Sequence, residues 1–141
     1  MTLPTLSASE KQALVEAARL AREQAYAPYS RFLVGAAVLD EHGRIHAGCN
    51  VENAAYPEGL CAEAGALSAM VANGGRRARA VVVVGTGAAW ITPCGGCRQK
   101  LREFCDADTP IFTANEHALG PTYTLQQLLP ESFGPEHLGK S

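Results

Sequence analysis

Three cysteines and one glutamate stand at spacings that could do chemistry. Cys61-Ala-Glu63 and Pro93-Cys94-Gly-Gly-Cys97 gather three thiols and a carboxylate into two short motifs. A Cys-x-x-Cys at the start of a helix turns both sulfurs to one side of its first turn, about 5 Å apart, which suits tetrahedral zinc. Taken alone, the pair also reads as a redox couple or as half of a closed structural zinc site. The closed site needs a fourth ligand. Cys105 would lie roughly 12 Å further along a continuing helix and reads as a core or surface cysteine. Cys49 precedes Asn50 at a strand end, where alternation points it away from the face Asn50 serves. His42 and His46 beside a hairpin turn, and His117 and His137 in the tail, read as solvated surface histidines.

Three protein ligands with a fourth position left to water are what a catalytic zinc requires. Zinc lowers the pKa of its water from about 15.7 towards about 7, on the order of 10 kcal/mol towards hydroxide. Glu63, two residues after Cys61, is then placed to act as the base; its plainer reading is a first-turn carboxylate that favours the helix dipole. Three thiolates outweigh the charge of one dication, so compensation is needed. Both cysteine-bearing segments are therefore expected to open helices, with free N–H groups facing the sulfurs.

The elements that must position these groups can be read along the chain. Ser7-Ala-Ser-Glu10 has the form of a capping box and predicts a helix at about 8–26, ended by Tyr26-Ala-Pro28. Residues 32–39 and 44–49, around Asp40-Glu-His-Gly43, read as a hairpin of buried strands. A second helix is expected over 61–71, a buried strand over 81–84, a third helix over 95–104 and a strand over 110–113. That strand, helix, strand unit favours parallel pairing. Residues 124–129 could form a short helix, and 130–135 must be irregular. The expected fold class is α/β: three layers, α/β/α, with one mixed β-sheet, in a single domain over 1–141.

Composition narrows the functions. At 141 residues and 47% apolar content the chain suits one domain with a real core. Twelve Lys and Arg against fourteen Asp and Glu, with no basic run, argue against nucleic-acid binding. No apolar stretch approaches a membrane span, and the N-terminus lacks the features of a signal peptide, so a cytoplasmic protein is expected. Five cysteines without an export signal favour a metal or a reactive thiol over disulfides.

The signature of a Cys, one residue, a Glu and then Pro-Cys-x-x-Cys resembles that of zinc nucleobase deaminases. The chain is similar to the small cytidine deaminases over nearly its whole length. The likeness runs through Pro28-Tyr-Ser-Arg-Phe32, Val34-Gly-Ala-Ala37, Asn50-Val-Glu-Asn-Ala-Ala-Tyr56, both cysteine motifs with Arg98-Gln99, and Leu128-Leu-Pro-x-Ser-Phe-Gly-Pro135. The resemblance implies hydrolytic deamination of free cytidine and 2′-deoxycytidine, with one zinc per subunit on Cys61, Cys94 and Cys97 and with Glu63 carrying protons to N3 and the departing amine. It implies that Asn50 and Glu52 hold the ribose, chiefly its 3′-hydroxyl, and that Phe32 packs on the pyrimidine. Ala54, Tyr56 and Phe133 would reach sites of neighbouring subunits in a homotetramer, with Tyr29 at the same interface. Ala64 departs from the family, many of whose three-cysteine members have an arginine there that donates to the sulfurs; helix N-termini, with Arg98 or Gln99, are expected to take over. The rival readings are a deaminase of another cytosine nucleoside, a nucleic-acid-editing deaminase, and a binding module with a structural zinc.

Overall fold

Helix α1 (Ala8–Glu23) starts at the capping box: the Ser7 hydroxyl accepts the Glu10 N–H and the Glu10 carboxylate accepts the Ser7 N–H. The computed structural model describes residues 5–140, so both ends of the expected 1–141 span lie outside the described residues. Helix α1 stops three residues short of the expected end at 26. Tyr26 has pairing partners elsewhere: its N–H donates to the Asn50 carbonyl at 3.0 Å and its carbonyl accepts from Glu52 at 2.8 Å. Pro28 then excludes further helix.

Strands β1 (Gly35–Asp40) and β2 (Ile45–Cys49) form the expected antiparallel hairpin. Strand β1 begins later than the expected 32, because Leu33 and the Val34 N–H bond to side chains and the Val34 carbonyl takes only the Asn50 N–H beyond the end of β2. The Thr86 hydroxyl accepts the N–H of Leu33 and donates to its carbonyl, and the Asn50 amide oxygen accepts the N–H of Val34. Helix α2 (Ala62–Ala72) follows, then β3 (Ala78–Val84), α3 (Gly95–Phe104) and β4 (Pro110–Ala114). Strand β4 runs parallel to β3 as expected. Strand β5 (Leu119–Thr124), not foreseen, pairs antiparallel with β4. It contains Gly120 and Pro121 and is largely exposed, a composition that only an edge strand tolerates. The short helix α4 (Leu125–Leu128) is capped by Thr124.

The sheet order is β2-β1-β3-β4-β5, one mixed sheet. Strand alternation divides its side chains between two helical layers. Ala36, Val38, Val81, Val83 and Ile111 pack under α2, α3 and α4 through Ala66, Met70, Leu101 and Leu125. Ala37, Leu39, Val82, Val84 and Phe112 receive Leu14, Val15 and Ala18 of α1. The three-layer expectation holds. Gly48 of β2 has a steric cause: a Cβ there would overlap the Ala62 carbonyl and the Ala66 N–H, so helix and strand touch at backbone distance. This close seat brings the start of α2 to the end of β2.

His46 corrects one expectation. It is only 8% exposed, and its Nε2 lies 2.8 Å from the carboxylate of Asp40, which is fully buried. Asp40 also accepts the N–H groups of His42 and Arg44 and the Arg44 guanidinium. Burial by itself raises the pKa of Asp40, but His46 and the Arg44 and His42 N–H groups outweigh it and hold the carboxyl at about 2. His42, His117 and His137 are exposed, as expected.

Candidate metal centre and active site

Cys61 is the N-cap of α2 and Cys94 the N-cap of α3, with Cys97 in the first turn of α3. Both cysteine segments thus open helices. The three sulfurs lie within 4.8 Å of one another, and those of Cys61 and Cys94 are 3.9 Å apart. Two thiolates bonded to tetrahedral zinc at about 2.3 Å stand about 3.8 Å from each other, so the spacing fits the ion. Soft sulfur donors suit zinc as well. Among the described residues no fourth ligand atom joins the cluster. Cys49 is half-buried at the end of β2, and Cys105 lies in the core, where burial pushes its thiol up to about 12.

The electrostatics divide the sulfurs. The backbone N–H of Cys97 is the main influence on Cys94 and lowers its pKa, which is the helix-start compensation expected from the sequence. Burial raises Cys61, and burial with the Glu63 charge raises Cys97. Crowded thiols beside a carboxylate become stable thiolates only with a cation among them. Glu63, in the first turn of α2, is 4% exposed. Burial pushes its carboxyl above the usual range, against weaker pulls from its own N–H, the Cys97 sulfur and the Lys100 charge.

Arg98 and Gln99 do not serve the sulfurs. The Arg98 guanidinium donates to the Pro93 carbonyl at 2.7 Å, and to the Leu128 carbonyl and the Thr92 hydroxyl at 2.8 Å each. It braces the loop entering Cys94. Gln99 donates to the Phe133 carbonyl at 2.9 Å.

The polar rim is built from two segments that grip each other. The Asn50 amide accepts the Val34 N–H and donates to the Phe32 carbonyl, both at 2.8 Å. Glu52 accepts the N–H groups of Tyr29 and Ser30 and the Ser30 hydroxyl, which together hold its carboxyl below the usual range. Both side chains therefore face the 29–34 segment, as their two-residue spacing implied. Asn50 keeps an amide N–H and an oxygen lone pair for a ligand, and Glu52 keeps lone pairs. Phe32 is 38% and Tyr56 74% exposed. The Tyr29 and Tyr56 rings meet edge to face at 5.7 Å beside a cavity of about 330 Å³ that Glu52 and Ser30 also line.

Comparison with known proteins decides the family. Residues 8–113 match the profile described as "Cytidine and deoxycytidylate deaminase zinc-binding region". The chain belongs to this cytidine and deoxycytidylate deaminase family. A cytidine deaminase of Sporosarcina psychrophila is 43% identical over 125 residues, covering 89% of this chain and 92% of that one. One from Mycobacterium tuberculosis is 43% identical over 81% of this chain and 82% of its own. The crystal structure of the cytidine deaminase from Burkholderia pseudomallei superposes with a TM-score of 0.81 at 43% identity, covering 86% of this chain and 98% of that chain.

Within this deaminase chain, the structure brings Cys61, Cys94 and Cys97 together with Glu63 in the same first turn as Cys61, and joins Phe32, Asn50 and Glu52 through the bonds of the 29–34 segment. Ala54 is exposed near the rim. Phe133 is not part of either set: it sits on the C-terminal segment, 57% exposed, with its ring stacked on His137 at 5.3 Å. Ser30, Thr86 and Arg98 brace the site and were missed as such. Their only signal in the sequence is hydrogen-bonding side chains beside the motifs. A hollow of about 740 Å³ beside Arg102 and Cys105 contains none of the metal-cluster groups, so chemistry and not size selects the site.

Proposed function

We propose that this chain is a zinc-dependent cytidine deaminase, converting free cytidine and 2′-deoxycytidine with water into uridine and 2′-deoxyuridine with release of ammonia. The observation that carries the reading is the trio of sulfurs at zinc spacing, raised on two helix starts beside the buried Glu63. Cys61, Cys94 and Cys97 would hold one zinc per subunit, which when bound supplies a water acidic enough to attack C4 near neutral pH. Glu63 would take one proton from the attacking water and deliver it to N3, then take the second from the new C4 hydroxyl and pass it to the amine, so that ammonia leaves as the C4 carbonyl forms. Its raised pKa suits a group that must both take and give a proton near pH 7.

Asn50 and Glu52 hold the ribose hydroxyls with their spare donor and acceptors, and Phe32 flanks the base. Ala54, Tyr56 and Phe133 complete the sites of neighbouring subunits in a homotetramer; their exposure in the single chain supports this. The catalytic unit is a single domain spanning 1–141. Five free cysteines favour the cytoplasm, and among the described residues no helix is long and apolar enough to cross a membrane.

The test is ammonia release from free pyrimidine nucleosides, with and without a chelator, beside a cytosine-containing oligonucleotide. Turnover of cytidine that chelation abolishes and zinc restores is the expected result. Turnover of the oligonucleotide alone would make the chain a nucleic-acid editor, and zinc binding without any turnover would make it a structural module.

A further inference from the structure

The segment after α4 has little regular structure around Phe133, yet it is fastened to α3 at several points. Arg102 donates from Nε to the Ser132 hydroxyl at 2.8 Å and pairs with the Glu136 carboxylate. Gln99 donates to the Phe133 carbonyl at 2.9 Å. Gly134 is buried against the Arg102 guanidinium, into which any Cβ at that position would run. The Gly134 N–H donates to Nδ1 of His137, whose ring stacks on Phe133. An exposed phenyl ring gains nothing for the fold by such anchoring. Fixing it removes the ordering cost from a later binding step.

We propose that Gln99 and Arg102 are positioning residues that hold the Ser132-Phe133-Gly134 strap on α3, so that the Phe133 ring is set in advance for the nucleoside base. The inference rests on the reading of Phe133 as a substrate-side residue. Helix α3 then does two jobs: its first turn carries Cys94 and Cys97, and the turns beyond aim the ring. Gln99 and Arg102 touch neither substrate nor metal. They act through Phe133.

The test is steady-state kinetics on the zinc-loaded oligomer, with zinc content and subunit mass measured alongside. Gln99→Ala and Arg102→Ala should each raise KM for cytidine about fivefold, the worth of one lost hydrogen bond, with kcat, zinc content and assembly unchanged. In a Phe133→Ala background neither change should raise KM further. Gly134→Ala should mimic Arg102→Ala in the parent enzyme and do nothing more once Arg102 is alanine, since the collision is then gone. If Phe133→Ala raises KM while the Gln99 and Arg102 variants leave it alone, the positioning role is wrong and the reading of Phe133 stands. If Phe133→Ala itself leaves KM unchanged, both fall. A fall in kcat with loss of zinc at constant KM would overturn the inference in favour of a role in the metal loop.

Discussion

The metal centre and the polar rim share one end of the sheet, where β1 begins and β2 and β3 end, but they are fixed in opposite ways. The three sulfurs are set by two helix starts, each at or within three residues of an N-cap, and the carboxylate is set by the first turn of α2. The rim is set by reciprocal bonds between segments some twenty residues apart, Asn50 to Phe32 and Val34, and Glu52 to Tyr29 and Ser30. A locally built centre can lose its chemistry without losing its metal. A mutually braced rim loses geometry and ligand contacts together.

The sharpest way to break this contrast is Glu63→Gln. The amide keeps the shape of the side chain but cannot accept a proton, so kcat should fall by about 10³ to 10⁴ while zinc per subunit stays at one. Zinc content by atomic absorption beside ammonia release checks both halves. Loss of zinc in this variant would mean that carboxylate and sulfurs are one interdependent unit. Asn50→Ala should come next. It removes the proposed sugar contact and also frees the Phe32 carbonyl and the Val34 N–H, so kcat/KM for cytidine should drop about 100-fold with zinc retained. A drop confined to a fewfold would show that the brace is redundant.

The same contrast explains what was legible in the sequence. Helix α3 was readable as 95–104 because Pro93, Cys94 and the glycines mark its start within a few residues. The three-cysteine cluster followed from that. By contrast the end of α1 depends on Tyr26 finding Asn50 and Glu52, the start of β1 depends on Thr86, and β5 depends on having β4 to lean on. Local propensity holds none of these partners. Asn50 and Glu52 were read as holding the ribose, and their further bonds to the 29–34 segment went unseen, because long-range hydrogen bonding leaves no periodic trace. His46 was misread for the same reason: only the fold puts it against Asp40.

The far end of the same hairpin serves as a control for the comparison, since Asp40 and His46 are buried and bonded but remote from the chemistry. The folded pKa of Asp40, about 2, lies below the 3.8 of an unperturbed aspartate. The unfolded chain therefore binds this proton more readily, and the stabilisation is fully present above about pH 4 and lost as pH falls towards 2. Asp40→Asn should cost on the order of 2 kcal/mol at pH 7 and flatten that acid limb, measured by urea unfolding across pH. Activity at neutral pH should survive wherever the variant is folded. Loss of turnover in the folded variant would show that the hairpin's two ends are coupled.

The smallest effect sharpens the rim itself. The Ser30 hydroxyl is shared: it donates to the Glu52 carboxylate and accepts the Phe32 N–H at 3.0 Å. It lies between the residue proposed to hold sugar and the one proposed to flank the base, next to Arg31, which is held at φ 59°, a left-handed conformation costly for a non-glycine residue. Ser30→Ala removes the hydroxyl and leaves the backbone N–H bond from residue 30 to Glu52 in place. KM for cytidine should rise about fivefold with kcat within twofold of the parent, because the hydroxyl's two bonds, to the Glu52 carboxylate and from the Phe32 N–H, are lost at an exposed site and no reacting group moves. An equal fall in kcat would mean that the rim aligns the base for attack as well as gathering the nucleoside, and that the two regions are less separable than their construction suggests.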